Sequence, residues 1–297
     1  MPQTWTIKKL LDWMVSHFTD EKIDSPRLTA ELLLSFVLQM ERIQLYMHFD
    51  KVIGKPQLDK LHSLVKRCIQ NEPVQYLTGR CEFYSLSLKV APVCLIPRPE
   101  TELLVERAVE FLRSRTGRQY VCDLCTGCGS VAAAIAKNFA DAKVIATDIC
   151  DKALSVAAEN IKKYGLEQRV ELLQGDLFKP VISQLDERNL SAAGGFDLIV
   201  CNPPYVSRSE YEKLDARVKK YEPKLALDGG ADGLDIYRRI AADAAGHLKK
   251  DGALLLEIGY QQGQQVKKLL EDTNAFGWIT IEKDFNNNDR VITAIKM

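Results

Sequence analysis

Asn202-Pro203-Pro204-Tyr205 is the stretch of this chain whose residue types most directly suggest chemistry. An amide nitrogen is a poor nucleophile, because its lone pair is delocalised into the carbonyl. Two fixed acceptors that take both N–H protons draw that density back onto nitrogen. Asn202 offers a side-chain oxygen and Pro203 a backbone carbonyl. The prolines restrict the backbone and bring no competing N–H. Tyr205 offers a flat face against which a planar group can stack. No separate strong base is needed, since a nitrogen that has gained a methyl group is acidic and gives its proton to water. Such a site works mainly by positioning and electrostatic stabilisation. The plainer reading of the tetrapeptide is a loop in polyproline conformation.

A second constellation, Asp123-Leu-Cys-Thr-Gly127-Cys-Gly129, reads as a turn between a strand and a helix. Open α/β sheets bind ligands at such strand ends. Gly127 and Gly129 let the backbone approach a ligand closely. Asp148, about 20 residues further on, ends the next strand, where a carboxylate accepts ribose hydroxyl protons. The loop lacks the third glycine of the dinucleotide fingerprint, which disfavours NAD. A methionine-bearing nucleoside has no pyrophosphate to cradle, so S-adenosylmethionine is the expected cofactor. The alternative is a tight structural turn with no ligand. Asp123, Cys125, Thr126, Gly127, Cys128 and Gly129 would surround the cofactor, and Asp148 would hold its ribose.

Gly175-Asp176-Leu177-Phe178 follows the third strand. Asp176 is placed to accept the adenine amino group, and Leu177 or Phe178 to cover the ring. Alone, the motif is equally a solvated turn aspartate beside two core side chains. Cys122, Cys125 and Cys128 form a run that invites a metal or iron–sulfur reading. No fourth ligand stands nearby, and buried free cysteine behaves as a small apolar residue. No metal is expected. His17, His48, His62 and His247 are scattered.

The elements that must position these residues follow from periodicity. Ile7, Leu10, Leu11, Met14, Val15 and Phe18 share one helical face. Ser25-Pro26 predicts an N-cap followed by a second helix, and Pro56 opens a third. Phe83 to Ile96 alternates apolar and polar residues about Pro92, which predicts a β-hairpin. Glu100-Thr101-Glu102 starts a helix with carboxylates at its positive end. Strands are predicted at Tyr120–Leu124, Lys143–Thr147, Val170–Leu173, Phe196–Cys201 and Ala253–Ile258. Trp278–Lys283 and Arg290–Lys296 are expected to pair at one edge. A helix from Asp151 to Tyr164 stops at Gly165, a left-handed cap. This alternation argues for a mostly parallel sheet covered on both faces. The stretch from Arg188 to Gly195 reads as the softest loop.

The bulk numbers narrow the class. The chain has 297 residues, 46% of them hydrophobic and 27% charged, with 40 basic and 40 acidic residues. That composition suits a globular protein of about two domains. The absence of a basic excess weighs against a protein that grips a long nucleic acid. No apolar run reaches the ~18 residues needed to span a bilayer, and the first residues lack the pattern of a signal peptide. A cytoplasmic location without membrane attachment is expected. The eight cysteines are then expected as free thiols.

Together these motifs resemble the glutamine methyltransferases of peptide-chain release factors. The resemblance is carried by Pro73-Val-Gln-Tyr-Leu-Thr-Gly79, Ile96-Pro-Arg-Pro-Glu-Thr-Glu102, Asp123–Gly129, Gly175–Phe178 and Asn202–Tyr205. It continues through Glu222-Pro-Lys-Leu-Ala-Leu-Asp-Gly-Gly230, Gly233-Leu234 and Leu255-Leu-Glu-Ile-Gly259. It implies a class I S-adenosylmethionine-dependent methyltransferase fold, Rossmann-like with a seven-stranded, mostly parallel sheet. It divides the chain into an N-terminal helical substrate-docking domain (1–80), a β-hairpin linker (81–98) and a methyltransferase domain (99–297). The implied reaction methylates the side-chain amide nitrogen of glutamine in the Gly-Gly-Gln motif of the release factors. Residues 125–129, Asp148 and Leu177 would bind the cofactor, with Asn202 touching both cofactor and substrate. Asn202, Pro203, Pro204 and Tyr205 would hold the glutamine. The family usually has glycine at the position of Cys125 and a small residue such as serine at that of Cys128. Cys125 still allows the turn if its φ suits a residue with a Cβ. A monomer without stable nucleic-acid binding is expected. Two rivals remain: an adenine-amino methyltransferase acting on RNA or DNA, which would need a flipped base, and a non-catalytic nucleotide- or metal-binding module.

Overall fold

A computed structural model describes residues 4–182 and 194–297. Residues 188–193 of the expected soft loop lie outside the described residues. The chain forms two compact units. One comprises Met1–Arg80 and Asp215–Tyr221, the other Cys81–Leu214 and Glu222–Met297.

The first unit is helical: α1 (Ile7–Asp20), α2 (Pro26–Leu38), α3 (Arg42–Met47), α4 (Lys55–Ile69) and α5 (Val74–Thr78). The predicted face of α1 turns inward, with Ile7, Leu10, Leu11, Met14 and Phe18 buried. Its core continues through Leu33, Leu34, Leu61 and Val65. Pro26 does start α2, but Ser25 has a φ of 47° and makes no side-chain cap. The segment Asp215–Tyr221 joins this unit through the Arg217–Asp24 ion pair and a hydrogen bond from the Tyr221 hydroxyl to the Gln70 carbonyl.

The second unit begins with a hairpin, β1 (Arg80–Phe83) and β2 (Leu86–Lys89). It lies earlier than the hairpin expected about Pro92. Tyr84 and Ser85 both have positive φ (47° and 61°), and Glu102 accepts the Tyr84 N–H at 2.8 Å. Two consecutive positive φ values make the two-residue turn that matches strand twist. The usual Asn-Gly signal is missing, which is why alternation alone misplaced it.

Then follow α6 (Thr101–Arg113), β3 (Gln119–Leu124), α7 (Ser130–Asn138), β4 (Ala142–Asp148), α8 (Asp151–Lys163), β5 (Val170–Gln174), α9 (Lys179–Ile182), β6 (Phe196–Cys201) and α10 (Arg208–Tyr211). After α11 (Ala216–Tyr221), which belongs to the first unit, come α12 (Asp235–His247), β7 (Leu248–Glu257), α13 (Gly263–Glu271), β8 (Phe276–Lys283) and β9 (Asp289–Lys296). The sheet has seven strands in the order β5-β4-β3-β6-β7-β9-β8. β3 through β7 run parallel, while β9 is antiparallel to both β7 and β8.

Every residue of β6 is buried, as a central parallel strand requires. Alternate side chains feed two cores. Val121, Val144, Leu198, Val200 and Leu255 pack under α6 and α7. Cys122, Ile145, Ile199, Cys201 and Leu256 pack under α12 and α13. Gly165, at a φ of 65°, ends α8 as expected, with the Leu166 N–H returning to the Ile161 carbonyl. This is the three-layer, mostly parallel class I methyltransferase fold, with a helical N-terminal region and a small hairpin.

Candidate active site

Chain order reverses between β3 and β6. Leu124 is in register with Cys201 on one side and Thr147 on the other, and Asp148 is in register with Gln174. The loops after β3, β4, β5 and β6 therefore leave one edge of the sheet side by side. Ligands of open α/β sheets bind at such a switch point. Here the loops enclose a cavity of about 280 Å³, near the lower end for small-molecule sites.

Most of the expected cofactor residues meet in its wall: Asp123, Cys125, Thr126, Gly127, Cys128 and, from the neighbouring loops, Asp148, Asp176 and Leu177. Gly129 lies behind it. Its φ is 77°, and a Cβ there would stand 3.0 Å from the Ala157 Cβ. Glycine is needed for both the turn and the packing of α7 on α8. Asp123 is buried, with Oδ2 accepting the Thr126 hydroxyl at 2.6 Å and the Ala132 N–H at 3.1 Å. Burial pushes its carboxyl up to about 7, against the pull of those two hydrogen bonds. The folded state thus holds a proton that the unfolded chain has released between pH ~4 and about 7. Wild-type stability relative to Asp123→Asn is expected to fall across that window and level off above it. Urea unfolding of both proteins at several pH values checks this.

Asp148 accepts the Gly127 N–H through Oδ2 at 2.8 Å and the Cys150 N–H through Oδ1 at 2.9 Å. Burial raises its pKa, and the N–H groups of Cys150, Gly127 and Ile149 oppose that rise. Each oxygen keeps lone-pair capacity for a ligand hydroxyl. Asp176 is less free: Oδ1 takes Arg239 at 2.6 Å and Oδ2 takes Lys179 at 3.0 Å. The Arg239 hydrogen bond holds its carboxyl below the ordinary range. Leu177 faces the cavity, whereas Phe178 is buried in the core and stacks on His247. Exposed Ile149 also lines the cavity, and the sequence did not single it out.

Cys125 has a φ of 57°, so the turn does not suit a side chain with a Cβ. The left-handed conformation costs an ordinary residue about 1–2 kcal/mol, and glycine would return about 0.5–1 of that in chain entropy. Cys125→Gly is therefore expected to leave Tm unchanged or raise it by up to about 3 °C. A calorimetric scan showing a clear fall would contradict the strain. The cysteine run does not converge. Cys122, Cys125 and Cys128 are all free thiols, and among the described residues they belong to no metal-holding cluster.

Asn202 and Pro204 stand in the same cavity wall. The Asn202 Nδ2 donates to the Thr101 hydroxyl at 3.1 Å, which leaves Oδ1 as the end available to a ligand. Pro203 is buried, and among the described residues nothing donates to its carbonyl. Tyr205 does not line the cavity. Its hydroxyl stands 3.5 Å from Glu257 Oε1, and its carbonyl accepts Gln262 Nε2 at 2.9 Å. Burial pushes Glu257 up to about 7.

Several supports were not read from the sequence. Buried Asn160 accepts the Lys89 N–H at 2.7 Å and donates to the Cys128 carbonyl at 2.8 Å, tying β2 to the cofactor loop. A lone asparagine on the apolar face of α8 was the available signal. The Arg98–Glu222 ion pair joins the two motifs at 96–102 and 222–230. A Cβ at Gly229 or Gly233 would stand 2.8 Å or 2.4 Å from the Tyr205 backbone, so only glycine fits at either position. The 227–230 loop also brackets Val206 with backbone hydrogen bonds.

This arrangement can hold a nucleoside by its ribose beside an acceptor aimed at an N–H group. The "PrmC N-terminal domain" family matches residues 9–79 and the "Methyltransferase small domain" family residues 100–220. The release factor glutamine methyltransferase of Geobacter sulfurreducens is 38% identical over 291 residues, spanning 98% of this chain and 97% of that relative. The chain belongs to the release factor glutamine methyltransferase family. The Gloeobacter violaceus member is 41% identical over 248 residues, 82% of this chain and 83% of that protein. Among solved structures, the hMettl16 catalytic domain in complex with MAT2A 3′UTR hairpin 6 superposes with a TM-score of 0.55 at 14% identity, covering 82% of this chain and 84% of that one. That likeness shows the fold alone. As a member of the family, the chain is an S-adenosylmethionine-dependent protein-glutamine methyltransferase. The cavity's chemistry suits that donor: Asp148 keeps acceptor capacity in its wall, and Ile149 and Leu177 give it an apolar lining. Among the described residues, no helix is long and apolar enough to cross a membrane, and no three His, Cys, Asp or Glu side chains cluster to hold a metal.

Proposed function

We propose that this chain methylates the side-chain amide nitrogen of the glutamine in the Gly-Gly-Gln motif of release factors, with Asn202 Oδ1 and the Pro203 carbonyl receiving its two N–H groups. The observation that carries the reading is the direction of the Asn202 amide. One N–H of its NH₂ is held by the Thr101 hydroxyl, which fixes the amide and leaves its oxygen to accept from a substrate donor. Pro203 adds a second unclaimed acceptor. With both protons engaged, the amide lone pair is more localised on nitrogen. S-adenosylmethionine supplies an electrophilic methyl group when bound. The amide nitrogen would take that methyl as its bond to sulfur breaks and S-adenosylhomocysteine leaves, and the methylated nitrogen would then release a proton to water. Asp148 and the loop 125–129 hold the donor at the strand ends next to Asn202, so binding supplies the orientation. Pro204 narrows the slot for the amide, and Tyr205 supports it from behind. Asp176, already held by Arg239 and Lys179, keeps one lone pair per oxygen for an adenine amino group. The helical N-terminal unit docks the release factor, and the enzyme acts as a cytoplasmic monomer without stable nucleic-acid binding.

The test is transfer of labelled methyl from S-adenosylmethionine to a purified release factor, RNA and DNA in parallel. Label is expected in the release factor, in the peptide containing Gly-Gly-Gln. Label confined to nucleic acid would overturn the reading.

A further inference from the structure

We infer that Thr101 and Glu257 are positioning residues of the transfer: Thr101 sets which end of the Asn202 amide faces the cavity, and Glu257 orients the hydroxyls of both Thr101 and Tyr205. The inference rests on the reading of Asn202 as the acceptor for the substrate amide.

An asparagine side chain carries an oxygen and an NH₂ of nearly equal shape, and a half-turn exchanges them. Exchanged, Asn202 would present two donors to a substrate group that is itself a donor. Something must prevent that turn. Thr101, buried at the start of α6, does so by accepting Nδ2–H at 3.1 Å. A hydroxyl also has a proton of its own to place. If that proton pointed at Asn202, it would favour the wrong end of the amide. It must be drawn elsewhere.

Glu257 is in position to draw it. Cys201 is in register with Leu256, so Asn202 and Glu257 both follow from the same end of paired strands. Glu257 is 1% exposed and does not line the cavity. Burial raises the pKa of its carboxyl group, and the Thr101 hydroxyl is among the neighbours that oppose that rise. Among the described residues buried Oε2 has no hydrogen-bond partner, which leaves it free to take the Thr101 proton. Oε1 faces the Tyr205 hydroxyl at 3.5 Å. One buried carboxyl group is thus placed to orient two hydroxyls, that of Thr101 in the cavity wall and that of Tyr205 behind it. A carboxylate buried beneath a strand end and left short of partners costs stability. Its placement beneath the acceptor is the return on that cost.

The test compares Thr101→Val, Thr101→Ser and Glu257→Gln in the full chain, with release factor as substrate. Thr101→Val keeps the shape and removes the hydroxyl. Its kcat is expected to fall by about 10–100-fold, the scale of a misplaced reacting group. KM for the release factor and Kd for S-adenosylmethionine should change by less than about threefold, under 0.7 kcal/mol. Thr101→Ser, which restores the hydroxyl, should recover most of the lost kcat. Glu257→Gln keeps one acceptor oxygen for two hydroxyls, and should lose about tenfold in kcat by the same argument. Normal kcat in Thr101→Val, or no recovery in Thr101→Ser, overturns the role of Thr101. Normal kcat in Glu257→Gln overturns that of Glu257. Asn202→Ala separates the two levels. If it is inactive while Thr101→Val is normal, only the positioning relay fails. If it also turns over normally, the reading of Asn202 fails with it.

Discussion

Asn202→Ala is expected to lower kcat by about 10²–10³, the scale for losing one preorganised polar contact at the reacting group. Binding of S-adenosylmethionine should hardly change. The Asn202 side chain stands in the cavity wall, but its amide is fixed by Thr101 and not by the loop that carries Asp148. The loss should sit in kcat and not in KM for the release factor, because the oxygen acts on developing charge at nitrogen. Steady-state kinetics together with calorimetric cofactor binding checks both halves. Near-normal turnover would show that Asn202 is not the partner of the amide.

Asp148→Ala is expected to fail the other way. Its carboxylate would take two ribose hydroxyls, each worth about 1.5–3 kcal/mol as a bond to a charged group. Their loss predicts about 3–6 kcal/mol, or about 10²–10⁴-fold in Kd for S-adenosylmethionine. The same oxygens hold the N–H groups of Gly127 and Cys150, so the loop should also loosen. At saturating cofactor, kcat should return to within about tenfold of wild type, since no group on the substrate side has moved. Isothermal titration with the cofactor product reads the first effect. A Kd within a factor of about three of wild type would mean that the ribose lies elsewhere.

The parallel strands were legible because each is a short apolar run. β6 was placed at Phe196–Cys201, as the structure has it. The site was legible in part. Asp123–Gly129, Asp148 and Asn202 carry residue types that suit a strand-end site, and the register of β3 with β4 and β6 brings them together. What could not be read depended on distance in sequence or on torsion. The hairpin turn at Tyr84-Ser85 has positive φ without glycine or asparagine. The left-handed Cys125 looked like a tolerated substitution until its φ was seen. The pairing of Arg98 with Glu222, and of Asp215–Tyr221 with the N-terminal unit, joins residues that no local pattern connects. Phe178 was one of two candidates for the base, and the sequence had no means of showing that it turns to His247 while Leu177 turns to the cavity. Glu257 sat inside a motif noted only for its likeness to the family, and its meaning depends on Thr101 at the start of α6 and Tyr205 after β6, which are remote from it in sequence.

The most direct measurement is a crystal structure of this chain with S-adenosylhomocysteine and a release factor carrying an unmethylated Gly-Gly-Gln. The glutamine NH₂ should lie about 2.7–3.2 Å from both Asn202 Oδ1 and the Pro203 carbonyl oxygen, facing the sulfur of the cofactor. A glutamine amide held elsewhere, or an Asn202 that presents its own NH₂ to the substrate, would contradict the account.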